Sequence, residues 1–218
     1  MNESRLVLVT FAVAEEAAAF DPGIRPNLRA QVLITGIGLE NAERAVTLAL
    51  RQIKPSLVLT CGFAGGLDPD LTTGQVIFTS PARSGFEPAL VAAGAHPGRF
   101  HSIDRVATTA LEKQELREAT GADVVEMESG AIAAVCRVLG VPCAMARVVL
   151  DRQQDDLPID FNAVLNDRSQ IDFLRLTWQL IKAPSRIAGL LRLRRDSHLA
   201  ANELGRVLNA ALEAWHDT

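Results

Sequence analysis

Carboxylates stand at three points of the chain where hydrocarbon would be expected. The stretch Asp123-Val124-Val125-Glu126-Met127-Glu128-Ser129 begins like a buried strand and then carries two glutamates and a thioether. Side chains two apart share a face while the chain stays extended, so Glu126 and Glu128 would point together. Burying them is costly unless something polar docks there, and a ligand with paired hydroxyls would satisfy both. Glu15 and Glu16 follow the apolar run 6–10, and Asp151 closes Arg147-Val148-Val149-Leu150-Asp151. Each has a plainer reading: Glu15 and Glu16 complement a helix macrodipole, Asp151 and Glu128 cap the segments they precede, and Met127 is core. The sharper reading turns them into one cleft, because open α/β sheets put ligands outside the carboxyl ends of their strands.

The elements that must hold these residues can be read from the apolar pattern. Residues 6–10, 31–35, 56–61, 74–80 and 143–150 are short apolar runs of strand length, as expected of strands covered on both faces. A further strand is expected over 99–108. Alanine-rich 11–20 predicts a helix, as do 40–53, 111–119 (closed by Thr120-Gly121) and 129–139. In the last, Ile132, Val135, Cys136 and Leu139 fall on one face. Gly36-Ile37-Gly38, between a strand and a helix, would let backbone amides approach an anion. The dinucleotide fingerprint fails there, since Asn41 stands where its third glycine would be. Gly62-Phe63-Ala64-Gly65-Gly66-Leu67 has three glycines in five residues at a predicted strand end, implying positive φ or close approach of backbone to a ligand.

Composition narrows the class. A chain of 218 residues with 48% hydrophobic content suits one α/β domain. The expectation is a cytoplasmic protein: no run of about 18 uncharged apolar residues occurs, and the first residues do not read as a signal peptide. A net charge of −4, 5% aromatic content and no tyrosine argue against nucleic-acid binding. Cys61, Cys136 and Cys143 share no metal-ligand spacing and are expected as reduced core thiols, with no metal.

Val125-Glu126-Met127-Glu128 followed by Ala131-Ile132-Ala133, the glycine run 62–67 and the carboxylates of 15–16 and 151 come in an order that resembles the nucleoside phosphorylase and nucleosidase superfamily. The pattern is similar to methylthioadenosine/S-adenosylhomocysteine nucleosidase and, over nearly the whole chain, to the hopanoid-associated phosphorylase branch. The resemblance implies a three-layer αβα fold with a central twisted mixed sheet, in one domain over 1–218. It implies an enzyme that cleaves the N-glycosidic bond of a purine nucleoside or adenosyl compound. That reaction needs an acid at the departing base, a carboxylate gripping the ribose hydroxyls as the sugar becomes cationic, and a positioned nucleophile. Carried over, Asp151 would protonate the base and Glu128 would hold the hydroxyls, with Met127 against the sugar. Glu16 would act on the water or the 5′ side, with Glu15 as the one-residue alternative. Glu126, Gly62, Phe63, Ala64, Gly65, Gly36 and Gly38 complete the expected substrate-binding set, and residues 106–111 would flank the base. The family has Arg-x-x-Ser-Asp where this chain has Leu150 before Asp151, so the serine's hydrogen bond is missing.

Other expectations are looser. No organic cofactor is implied, but inorganic phosphate could be co-substrate, with the Gly36 to Gly38 turn, Arg44, Arg83 or a neighbouring subunit's arginine as candidate ligands. Residues 81–100 are short beside the nucleosidases, which suggests an open or differently roofed pocket. Helices are expected from near Asp160 and Ile171, and the basic segment 182–195 should precede a last helix reaching about Trp215. That segment reads as a solvated helix face or as a peripheral membrane contact, and the hopanoid-associated branch implies an adenosyl group on a polycyclic lipid. The superfamily implies a homo-oligomer. A non-catalytic nucleoside sensor on the same fold is the alternative, and a membrane-associated lipid carrier a third reading.

Overall fold

The structure, a computed structural model, describes residues 5–23, 27–163 and 186–216. The strands β1 (Arg5–Phe11), β2 (Leu28–Ile34), β3 (Leu57–Gly66) and β8 (Cys143–Asp151) lie parallel in the order β2-β1-β3-β8. β4 (Val76–Thr79) adds antiparallel to β8, with β5 (His96–Pro97) parallel beyond it. β7 (Val124–Glu126) pairs antiparallel with the far end of β3, and β6 (Phe100–Ser102) pairs parallel with β7. The sheet is therefore mixed.

Alternation along the strands assigns two covered faces. Val7, Val9, Phe11, Leu57, Leu59 and Cys61 join a core with Phe86 and Leu90, at α3 (Glu87–Ala92), and with Leu204, Val207, Leu208 and Leu212 of α6 (Arg186–His216). Leu8 and Val58, interleaved with them, instead meet Ala42 and Val46 of α2 (Leu39–Gln52) and Ile132 and Cys136 of α5 (Ser129–Leu139). Burial of one such Leu or Val contributes about 1.5–3 kcal/mol, so the four residues of α6 suffice to seat that helix. Helices on both faces of one sheet make the three layers.

Tertiary demands override local propensity in several places. The helix expected over 11–20 is a single turn, α1 (Ala14–Ala17). Phe20 turns back into the main core, and the Ala19 carbonyl lies against Gly205 of α6, where a Cβ would sit 2.4 Å away. The strand expected over 99–108 shortens to β6 because its neighbours are drawn away. The Ser102 hydroxyl is taken by Glu126, and Asn162 clamps both the amide and the carbonyl of Val106 (2.8 and 2.9 Å). The glycine run does not break β3, which continues to Gly66. α4 (Ala110–Thr120) ends at Gly121 in a left-handed cap, as its sequence implied.

The basic segment does not precede the last helix: from Arg186 it is that helix's first turns. Lys182 and the helix expected near Ile171 lie outside the described residues, and residues 160–163 are not helical. Among the described residues no helix is long and apolar enough to cross a membrane.

Candidate active site

The acids are organised around a buried arginine. Arg147 lies in β8 opposite Gly62 of β3 and is 1% exposed. Its Nη2 donates to Glu126 Oε2 (3.0 Å) and to Thr60 Oγ1 (3.2 Å), and it lies 3.7 Å from Glu128 Oε2. Arg147 Nε and Thr10 Oγ1 are buried without a hydrogen-bond partner among the described residues. Thr10 and Thr60 are register partners in β1 and β3. An arginine in the middle of a strand covered on both faces persists only when carboxylates surround it, and here three do.

Each of those carboxylates also closes a helix amino end. Glu16 Oε2 accepts from the amides of Ala12 (2.9 Å) and Val13 (3.3 Å) at α1, while its Oε1 reaches across to the amide of Phe63 in β3 (2.8 Å). The plain reading of this residue is realised, and the same carboxylate also reaches across to β3. Gly62 makes room for it: φ is 148° there, and a Cβ would lie 2.6 Å from Glu16 Oε1. Glu15 is exposed, so Glu16 is the inward-facing carboxylate of the pair. Glu126 Oε2 accepts from the amides of Glu128 (2.9 Å) and Ser129 (2.7 Å) at the start of α5, and its Oε1 takes the Ser102 hydroxyl. Glu128 Oε1 accepts from the amide of Gly38, the residue before α2, at 2.9 Å. The anion expected at the Gly36 to Gly38 turn is thus Glu128 itself.

One sequence expectation is corrected by this geometry. Glu126 and Glu128 do not converge by strand alternation, because β7 ends at Glu126 and Glu128 already precedes α5. They meet because both turn toward Arg147. All three acidic points do follow strand carboxyl ends, but β7 runs antiparallel to β3, so its carboxyl end points back toward Phe63 and brings Glu128 within reach of α2. Glu126 itself is fully enclosed, with a partner on each oxygen, and orders Glu128 and Arg147 from behind. Met127 and Phe63 are half-buried, and Phe63 packs partly on the main core.

Asp151 lies at the end of β8 beside Gly65, two residues beyond the Phe63 amide that holds Glu16, or roughly 7 Å at 3.3 Å per strand residue. The β3 to β8 register slips there, Leu150 being the extra residue, and bulges re-aim side chains at such points. Leu150 packs toward the main core. What meets the Asp151 carboxyl is the ammonium of Lys113, from α4. Asp151 lines a cleft of about 580 Å³ with Thr73, Arg152, Pro158, Gly189 and Arg192. Glu16 and Glu128 do not line that cleft: Glu16 and Asp151 sit two residues apart along β3, whereas Glu128 is held by Arg147 and the Gly38 amide.

Burial pushes the carboxyls of Glu16, Glu128 and Asp151 above their ordinary range. For Glu128 the value reaches about 7, burial and the nearby Glu126 and Glu16 charges outweighing Arg147 and the Gly38 amide. Burial acts the same way on Glu126, yet Arg147, the Ser102 hydroxyl and two amides together hold it below the usual range. Environments that push neighbouring acids apart in this way are what acid–base chemistry uses.

Other candidates move away from the site. Arg83 lines a cavity of about 620 Å³ with Arg5, Ser56, Pro142 and Trp215, at the amino ends of β1, β3 and β8, and cannot serve an anion near Glu128. The cause is the antiparallel β4, which carries the chain to the opposite end of the sheet before residue 81. Residues 81–92 therefore do not roof the acids, and α6 walls the Asp151 cleft instead. Arg44 is exposed and donates to Asn41. Residues 106–110 pack against 156–162 through backbone and side-chain bonds. Arg147 and Lys113 were given no role from the sequence. Arg147 did leave a signal, a charge inside an apolar strand, whereas Lys113 sits in a largely polar helix and left none.

Known proteins share this fold and part of this sequence. The 5′-methylthioadenosine/S-adenosylhomocysteine nucleosidase of Shewanella oneidensis is 28% identical over 165 residues, covering 60% of this chain and 70% of that protein. That of Staphylococcus aureus is 27% identical over 179 residues, covering 67% and 78%. Among solved structures, the futalosine hydrolase of Helicobacter pylori superposes with a TM-score of 0.70 at 15% identity, over 97% of this chain and 98% of that one. The H. pylori methylthioadenosine nucleosidase gives 0.71 at 17% identity, over 97% and 99%. The sequence profile of the Phosphorylase superfamily matches residues 24–93 and 89–182. A sheet whose strand ends gather carboxylates around one arginine, matched by that profile over most of its length, leaves one conclusion: the chain belongs to the phosphorylase superfamily.

Proposed function

We propose that the protein hydrolyses the N-glycosidic bond of an adenine nucleoside, with Glu128 holding the ribose hydroxyls, Glu16 the attacking water and Asp151 the departing base. The observation that carries this is the cluster at Arg147, which pairs with Glu128 and feels the charge of Glu16, while the Phe63 amide of β3 holds Glu16 two residues before the register partner of Asp151. A base for water needs a raised proton affinity, and an acid for the leaving group must still carry its proton near neutrality. The upward shifts of Glu16 and Asp151 support those two roles. Water is favoured over phosphate because the Gly38 amide, the natural anion donor of α2, already serves Glu128. The relatives are nucleosidases and a hydrolase by name. The test is adenine release from adenosine-type substrates with and without phosphate. Release without phosphate, and loss of about 10²–10⁴-fold in Asp151→Asn, are expected. Binding by calorimetry with no release under either condition would instead identify a sensor.

The substrate's other end is read from α6. Its first turns carry exposed Ile187, Leu191 and Leu199 among Arg192, Arg194 and Arg195, while Gly189 and Arg192 of the same turns line the Asp151 cleft. A basic, partly apolar helix face suits an anionic membrane surface, which supports an adenosyl lipid such as adenosylhopane, handled by a cytoplasmic homo-oligomer. Sedimentation with anionic liposomes should retain the protein and release Leu191→Asp; equal partitioning of the two removes the membrane contact from the proposal.

A further inference from the structure

Behind the Asp151 carboxyl lies Lys113, from α4. Its side chain is 0% exposed, and it belongs to no part of the cleft that Asp151 lines. Its Nζ donates to the carbonyls of Arg152 (2.9 Å) and Asp155 (2.7 Å), leaving one proton for the carboxyl of Asp151, which it meets from the protein side. An ammonium has three donors and no acceptor, so all of its capacity is spent on the end of β8 and the turn after it. A lysine is buried this completely only when paired, and breaking such a pair leaves an uncompensated charge. The third contact goes to the carboxyl that faces the cleft.

We propose that Lys113 is a positioning residue for Asp151, fixing the direction of the carboxyl and tuning its protonation during turnover. The inference rests on Asp151 being the acid of the proposed hydrolysis. In the step itself the proton passes from the Asp151 carboxyl to the departing base as the glycosidic bond breaks, and Lys113 keeps its own protons. The other charged groups facing Asp151 in the cleft are Arg152, Asp155 and Asp156 from the turn after β8 and Arg192 and Asp196 from α6. Arg152 and Asp155 are occupied with each other (3.0 Å), so Lys113 is the cation left to act on Asp151 from within the protein. Burial raises the Asp151 carboxyl and Lys113 draws it down.

The test is the pH–rate profile of the full chain. The active acid form is lost as pH rises, so Asp151 sets the alkaline limb. An opposite charge this close lowers a carboxyl by about 1–3 units; Lys113→Met should therefore move that limb upward by about that much, cut kcat about tenfold and leave KM within about twofold. Lys113→Arg should keep the limb in place. A folded Lys113→Met protein with an unmoved limb overturns the proposal, while Asp151→Asn with full turnover would overturn the hydrolysis reading beneath it. Should Lys113→Met not fold, the ¹⁵N signal of the Lys113 ammonium in unmodified protein decides. It must show an inflection that Asp151→Asn abolishes, and a flat titration sinks the idea.

Discussion

Glu128→Gln separates what the cluster does for folding from what it does for chemistry. The Glu128 carboxyl titrates at about 7 in the folded protein against an ordinary 4.5, a difference of 2.5 units. At 1.36 kcal/mol per unit, the ionised form costs the fold about 3 kcal/mol. The sign follows from proton counting. Between pH 4.5 and 7 the folded state holds a proton that the unfolded chain has released, so stability falls as pH rises through that window. Below pH 4.5 both states are protonated and glutamine is a close substitute. Above pH 7 both are ionised and the full cost is present. Glutamine keeps an oxygen for the Gly38 amide, and Arg147 retains Glu126 as partner. Thermal melts at pH 4.5 and 8.5 should therefore show little difference at the first and a gain in the variant of roughly 6–12 °C at the second, at about 2–4 °C per kcal/mol for a chain of this size. Turnover should move the other way, falling about 10²-fold or more if the Glu128 charge has its proposed role at the cationic sugar. A melting difference that does not change with pH, or a variant less stable at pH 8.5, would refute the account of this cluster.

The remaining perturbations probe the same architecture from other sides. Gly62→Ala puts a methyl 2.6 Å from Glu16 Oε1 at a φ of 148°; melting should report a loss of about 1–3 kcal/mol, and adenine release should fall about 10²-fold as Glu16 is displaced. Arg147→Met removes the cation from among three carboxylates. Denaturant titration should show a loss of about 3–5 kcal/mol, smaller at pH 5 than at pH 8 because the orphaned acids can take up protons; a loss independent of pH would argue against charge as its cause.

Much of the scaffold was legible because strands covered on both faces announce themselves as unbroken apolar runs. Leu6 to Thr10 and Cys143 to Leu150 needed only that signal, and 129–139 fell out of its own apolar stripe. Expectations failed where a distant partner decided the outcome. Alanines at 14–19 favour helix, but Phe20 belongs in the core and Gly205 admits the Ala19 carbonyl, so one turn is all that fits. The site shows the same division. Glu16, Glu128 and Asp151 stood out as charges beside buried strands, yet that Glu128 would occupy the Gly38 amide depends on a contact across 90 residues that no local pattern encodes. Lys113 was hidden for a simpler reason: one more lysine in a polar helix carries no mark of being its only fully buried side chain.

The charges of the cluster do not balance, and the imbalance fits the chemistry. Glu16, Glu126 and Glu128 would carry three negative charges against the single guanidinium of Arg147. Part of the deficit is met by backbone: α2 and α5 each present the partial positive charge of a helix amino end, about half an elementary charge, to Glu128 and Glu126 respectively. The rest can be met by protons: burial pushes Glu16 and Glu128 upward, while Glu126, with the most donors, is held down. A cluster left short of positive charge is poorly suited to a phosphate dianion and well suited to a sugar that becomes cationic as its base departs. The attraction grows only as the bond breaks, so it lowers the barrier without tightening the ground state to the same degree. On the proposed role of Glu128, its cost to the fold at neutral pH has a use, because the positive charge it lacks is what the reacting ribose would supply.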